Sequence, residues 1–328
     1  MRNKEKHFFS FWINLANKSK TELQNIFVLL AKCGIDEVLA SGTPHKTRQS
    51  IILAKSQNIS LQHWKMMLIN NNPLIFDEHR DWFTINRNGI SSADFPPYVN
   101  YYRWLCPNHP QVLPYLLNIM KEFCQIPHLD GFHLDYIRFA DVILPPKCQR
   151  QYNLSQTSEA AQFDFCYCPH CTNKFQQEYG YDIRTISEPD LDENWRNFRW
   201  NSISSLVAEF TSLAHSFDKQ ISAAVFPTPS IAQKLVRQDW TAWNLDAFYP
   251  MMYHEFYDQN IDWLAQAVNE CRQKTKIPIR AGIYLPSFTP AQLQQAIELL
   301  LSLQVNGISF FDFHTADSAK LDVIKSFK

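Results

Sequence analysis

One run carries the strongest chemical signal in the chain: Asp130-Gly-Phe-His-Leu-Asp-Tyr-Ile-Arg-Phe139. Its β-branched and aromatic residues read as a strand, in which successive side chains point to opposite faces. Phe132, Leu134 and Tyr136 share one face; His133 and Asp135 share the other. The apolar set suits a covering layer of helices, so His133 and Asp135 are expected to point inward, with Arg138 just beyond them. A buried carboxylate demands a partner, so Asp135 reads either as a reacting group or as the structural partner of Arg138. A second signal is Cys166-Tyr-Cys168-Pro-His-Cys171. Three thiolates so closely spaced could bind zinc with one ligand from elsewhere. Cys106, Cys148 and His170 are the candidates for the fourth position. Free thiols or one local disulfide are the alternatives.

These residues need a frame. Strand-like runs fall at Phe8–Leu15, Glu37–Ala40, Ser60–Met67, Gly131–Ile137, Ile221–Phe226, Ala247–Met252, Ile279–Tyr284 and Gly307–Phe313. Helical patterns fall at Thr21–Cys33, Lys46–Gln57, His109–Phe123, Trp195–Phe217, Ile231–Arg237, Ile261–Lys274 and Pro290–Leu303, with a last helix after Ala316. Ser19, Thr289-Pro290 and Asp317-Ser318 are helix-start signals. Eight βα units in order predict a closed parallel (β/α)8 TIM barrel spanning residues 1–328 as a single domain. An open doubly wound sheet is the other arrangement, but no glycine fingerprint follows the first strand. Two connections are far longer than the usual ~2–6 residues. They follow strands three and four, at about 69–108 and 138–194, so both are expected over the C-terminal mouth, where barrel enzymes build their sites.

Composition removes several classes. The net charge of −1 gives no field for nucleic acid or an anionic membrane. No apolar run approaches the ~18–20 residues of a membrane span. With 7 glycines in 328 residues, no phosphate-cradling loop can be assembled. The short apolar stretch after the basic N-terminal residues ends without a cleavage site, so the expected location is cytoplasmic, or exported where a leader has been removed.

GFHLDYIRF resembles the GxHLDYIRYP signature of the glycosyl hydrolase-like barrel proteins of the family-10-like group. Residues 86–110 (NRNGISSADFPPYVNYYRWLCPNHP), 163–175 (FDFCYCPHCTNKF) and 246–257 (DAFYPMMYHEFY) match further pieces. The resemblance runs from the third strand through the sixth. It implies a (β/α)8 fold and a glycoside hydrolase acting on an oligosaccharide or polysaccharide, with the Asp at the end of the fourth strand, Asp135, as a catalytic residue.

Glycoside hydrolysis usually takes two carboxyl groups astride the bond. Glu255, past the sixth strand, and Asp312, near the end of the eighth, are the candidates for the second. Asp81, Asp94, Asp141 and Asp164 stand in the long loops. Trp12, Asn14, His63, Trp64, His133, Arg138, Tyr253 and Tyr284 are the expected substrate contacts, because aromatic faces stack on sugars and polar groups fix hydroxyls. No cofactor is needed for that chemistry; zinc at Cys106, Cys166, Cys168 and Cys171 would be structural. Two rival readings stand beside it. One is a metal-dependent hydrolase built on His63, His133, His254, His314 and Asp135. The other is a carbohydrate-binding barrel without turnover.

Overall fold

Eight parallel strands alternate with helices through residues 7–328, the part of the chain that the computed structural model describes. The basic residues 1–6 lie outside it. The strands are β1 (Phe9–Asn14), β2 (Glu37–Ser41), β3 (Ser60–Met66), β4 (Gly131–Asp135), β5 (Gln220–Val225), β6 (Ala247–Pro250), β7 (Arg280–Tyr284) and β8 (Gly307–Phe311). Their order is β6-β5-β4-β3-β2-β1-β8-β7. Parallel bridges from Phe248 to Ile279 and from Met251 to Gly282 join the two ends. The eight-stranded barrel expected from the alternation is therefore the architecture observed.

The outer helices are α1 (Lys20–Lys32), α2 (Pro44–Ser56), α4 (Val112–Cys124), α7 (Glu193–Ser216), α8 (Pro229–Val236), α9 (Trp263–Lys274), α10 (Pro290–Ser302) and α11 (Ser318–Lys325). Their starts are written locally. Ser19 and Thr289 complete capping boxes with Glu22 and Gln292. Thr43 and Thr228 cap helices whose first residue is proline, where a missing N–H costs nothing. Asp317 caps the last helix by accepting from the Lys320 amide.

Strand parity fills the barrel interior. At its lower end Glu37 accepts hydrogen bonds from Arg280 (2.8 Å), Gln62 (2.7 Å) and the Tyr249 hydroxyl. Ser222 donates to Gln62 Oε1 at 2.7 Å and lies 2.8 Å from His133 Nδ1. Above this polar floor, Trp12, Leu39, Ala224, Ala247 and Tyr249 form a small apolar plug. Helix-facing side chains such as Phe9, Phe132 and Phe310 join the larger core between barrel and helices.

Two segments depart from the simple alternation. Residues 67–111 follow β3 and contain α3 (Pro73–Glu78); residues 136–192 follow β4 and contain α5 (Pro146–Gln151) and α6 (Pro169–Tyr179). These three helices lie inside the stretches expected as long loops and were not marked by periodicity. Because β3 and β4 are neighbours, with Met66 paired to Asp135, the segments leave the same rim and meet. Asn86 bridges Phe165 in antiparallel fashion, and the Tyr167 amide donates to the Ile85 carbonyl at 2.7 Å.

Candidate active site

Asp135 is the last residue of β4 and is 8% exposed. Its inward direction follows from parity, as expected. Both carboxyl oxygens are held: Trp64 Nε1 donates to one at 2.8 Å, and the Tyr136 amide donates to the other at 2.7 Å. The second bond exists because the chain turns sharply at Tyr136, whose φ is +48°. That left-handed conformation costs a non-glycine residue about 1–2 kcal/mol. It also overturns the parity expectation for Tyr136, which lines the cavity instead of joining the helix layer. Burial raises the Asp135 pKa above the usual carboxylate value; the two hydrogen bonds and Arg138 oppose that rise without cancelling it.

Arg138 was expected beside Asp135 as its charge partner. Its ion pair is instead with Asp141, at 2.9 Å, and both side chains are buried. The guanidinium lies over Trp104, Tyr136 and Phe226, 4.9–5.2 Å from each ring centre. Cation–π stacking and the Asp141 carboxylate thus hold a charge that would otherwise be costly to bury.

Asp135, Arg138 and Asp141 open into one cavity of about 950 Å³ at the mouth of the barrel. Barrel residues supply part of the wall: Asn14, Trp64, Tyr253, Tyr284 and Phe311. The long segments supply Tyr98, Tyr102, Tyr136 and Tyr152. Burial pushes the phenols of Tyr136, Tyr253 and Tyr257 well up, so the wall is apolar rings carrying neutral hydroxyls. Tyr98, with φ +64°, donates its hydroxyl to the Asp141 carbonyl and so ties the two segments together. This volume and chemistry suit an uncharged, polyhydroxylated ligand with flat faces.

Several expected site residues lie elsewhere. Glu255 does not line the cavity. β6 stops at Pro250, and residues His254–Tyr257 turn into a 3-10 helix, so the alternation that placed Glu255 inward no longer applies. It pairs with Lys147 at 2.5 Å on the outer rim. Asp312 is likewise off the cavity: β8 turns Ser309 and Phe311 inward, not Phe310, and Asp312 caps its own turn through the Thr315 amide. Trp12 and His133 point inward but sit below the cavity, edge-on to each other and to Tyr249. His63 borders the cavity, but its ring turns outward, stacked 3.5 Å from Phe123 of α4. Of the loop aspartates, Asp81 reaches His109, Asp94 pairs with Arg80, and Asp164 is buried under Arg199; only Asp141 joins Asp135.

No family model matches this chain, and no curated protein does. Solved structures do resemble it. The glycoside hydrolase domain of PgaB (BpsB) from Bordetella bronchiseptica superposes with a TM-score of 0.71 at 10% identity, over 98% of this chain and 99% of that one. The catalytic domain of β-amylase from Paenibacillus polymyxa gives 0.66 at 9% identity, over 98% and 97%. The β-galactosidase of the psychrophile Marinomonas ef1 gives 0.68 at 8% identity, with 97% of this chain matching 58% of that one. These likenesses establish a shared barrel fold running nearly the whole length of the chain.

Among the described residues, one group of three or more His, Cys, Asp or Glu side chains is close enough to share a metal ion: Cys106, Cys166, Cys168 and Cys171. All eight cysteines are free, so the local disulfide is not formed. Cys148 and His170 stand outside the group, and Cys148 lines the cavity instead. The histidines of the metal-hydrolase reading do not converge. His63 faces the helices, His133 bonds Ser222, and His254 packs against Phe288. His314 is exposed in the turn after β8. No described helix is long and apolar enough to cross a membrane.

Proposed function

We propose that this chain is a glycoside hydrolase acting on an oligosaccharide or polysaccharide, with Asp135 as the proton donor to the leaving oxygen. The observation that carries it is a buried carboxyl with a raised pKa at the end of β4, open to a tyrosine-lined cavity. An acid must hold its proton at working pH, and burial among aromatic rings is how a carboxyl does so. This reverses the role that a neighbouring Arg138 would have given Asp135. Asp141 takes the place of Glu255 and Asp312 as the second carboxyl group, since among the described residues it alone shares the cavity with Asp135. Its pairing with Arg138 suits a group that acts as an anion, either as nucleophile or as base toward water. The similar solved structures, a glycoside hydrolase domain, a β-amylase and a β-galactosidase, support the reading. No step of it uses a metal ion.

A glycan-library hydrolysis screen tests this directly, run on wild type, Asp135→Asn and Asp141→Asn. Turnover of one glycan class by the wild type, with Asp141→Asn down about 10²-fold or more in kcat at little change in KM, is the expected result. Glycan binding with no product from any substrate would select the binding-barrel alternative. Full activity in Asp141→Asn would return the search to other carboxyls.

Trp64→Phe gives a finer test of the acid. Losing the indole N–H removes a bond that favours the charged carboxylate. The Asp135 pKa should rise further, moving the alkaline limb of the kcat/KM profile to higher pH. A limb that moves to lower pH would show that another group sets it.

A further inference from the structure

We infer that Cys106, Cys166, Cys168 and Cys171 bind one zinc ion tetrahedrally, and that this ion clips together the two segments that wall the cavity. The inference stands apart from the glycosidic reading. Cys106 comes from the segment after β3 and the other three from the segment after β4, so spacing alone could not have closed the set. The four sulfurs all lie within 4.8 Å of one another, with Cys106 3.4 Å from Cys168 and 3.5 Å from Cys171. Zinc–sulfur bonds of about 2.3 Å put tetrahedral ligands about 3.8 Å apart, which is this size. A disulfide would bring one pair to about 2.05 Å, and no pair is bonded. The thiolates of an iron–sulfur cluster are spread over two or more irons, so those on different irons stand farther apart than these.

The surroundings match a charged tetrathiolate. Each sulfur-bearing residue is at most 1% exposed, which closes the site to water and marks it as structural, not catalytic. The Ile85 amide donates to Cys166 Sγ at 3.4 Å, and Asn108 Nδ2 donates to Cys171 Sγ at 3.3 Å. Lys174 Nζ donates to Asn108 Oδ1 at 3.0 Å, aligning the amide and bringing a cation to the edge of the group. Such outer contacts orient ligands and favour the thiolate. Cys168 stands at the N-terminal boundary of α6 and Cys171 lies in its first turn, where the helix dipole favours negative charge.

What the ion would hold is specific. Cys106 lies four residues from Tyr102, and Cys166 follows the Asn86–Phe165 bridge. Losing it frees the cavity wall and leaves the barrel strands paired.

Elemental analysis of gently purified chain should find about one equivalent of zinc, and Cys33→Ser/Cys271→Ser should keep it. Cys106→Ser/Cys168→Ser should lose it and be cut faster by protease within residues 67–111 and 136–192. Cobalt added to the apo chain should give the intense visible bands and the thiolate-to-cobalt charge transfer of a tetrahedral sulfur site. That wild-type spectrum decides the matter even if the double variant fails to fold. Zinc far below one equivalent with no charge-transfer band would overturn the inference, as would a double variant that retains its zinc. None of these readouts depends on hydrolysis, so the metal site and the glycosidic reading stand or fall separately.

Discussion

Asp135→Asn is expected to lower kcat/KM by about 10²- to 10⁴-fold, the usual contribution of a positioned acid. The amide keeps the size of the side chain but has no proton to give. In the wild type, activity should fall as pH rises through the raised pKa of Asp135; the variant's residual rate should lack that limb. Stability carries the same signature. Asp135 binds its proton more tightly in the folded chain than in the unfolded one. Stability is therefore expected to fall as pH rises from the ordinary value near 3.8 through the folded-state pKa. Denaturation at a series of pH values, in wild type and variant, checks this. An Asp135→Asn protein with unchanged turnover would remove the central assignment.

Asp164→Ala should cause the largest loss of stability, about 3–5 kcal/mol, as expected when one member of a buried ionic group is removed. Asp164 accepts from Arg199 at 2.5 Å and from the Tyr167 hydroxyl at 2.6 Å, with Arg237 at 3.9 Å. Burial alone would raise its pKa, but Arg199 and Arg237 outweigh it and the net direction is down. Its contribution is thus present above the unfolded carboxylate pKa and is lost as pH falls through the folded value. Without it, two buried guanidiniums share one remaining acid, Glu159, which pairs with Arg237. Urea unfolding measures the change. A loss below about 1 kcal/mol would mean that apolar packing, not this charge group, seats the segment after β4.

The barrel was legible because its signals are periodic: strand-like runs and strand–helix order repeat eight times, and serine or threonine caps open four of the outer helices. Asp135 was legible for the same reason, since parity holds to the last residue of β4. Glu255 and Asp312 mark where that reasoning stops. Glu255 sits past the end of β6, where one turn of 3-10 helix replaces the two-residue repeat, and Asp312 follows β8 directly, where Phe311 turns inward and Asp312 away; no local signal fixes where the first strand ends or which way the second is turned. Asp141 was one of four loop aspartates that sequence could not rank. Its only cue was Arg138 three residues earlier, and whether that pair meets depends on Trp104, Tyr136 and Phe226 arriving from three separate stretches of chain. Tyr98, Tyr102 and Tyr152 were missed as wall residues because irregular segments carry no period to read.

Tyr98 and Tyr136 share a backbone property that bears on what can replace them. Both hold a left-handed backbone that glycine would adopt more cheaply, in a chain with 7 glycines. At each, the backbone cost is set against what the ring holds: Tyr98 stacks on Phe163 and bonds the Asp141 carbonyl, and Tyr136 lies against the Arg138 guanidinium. Glycine at either position would relax the backbone and lose those contacts in one step, so the shape of the cavity and the anchoring of its two long segments cannot be changed independently there.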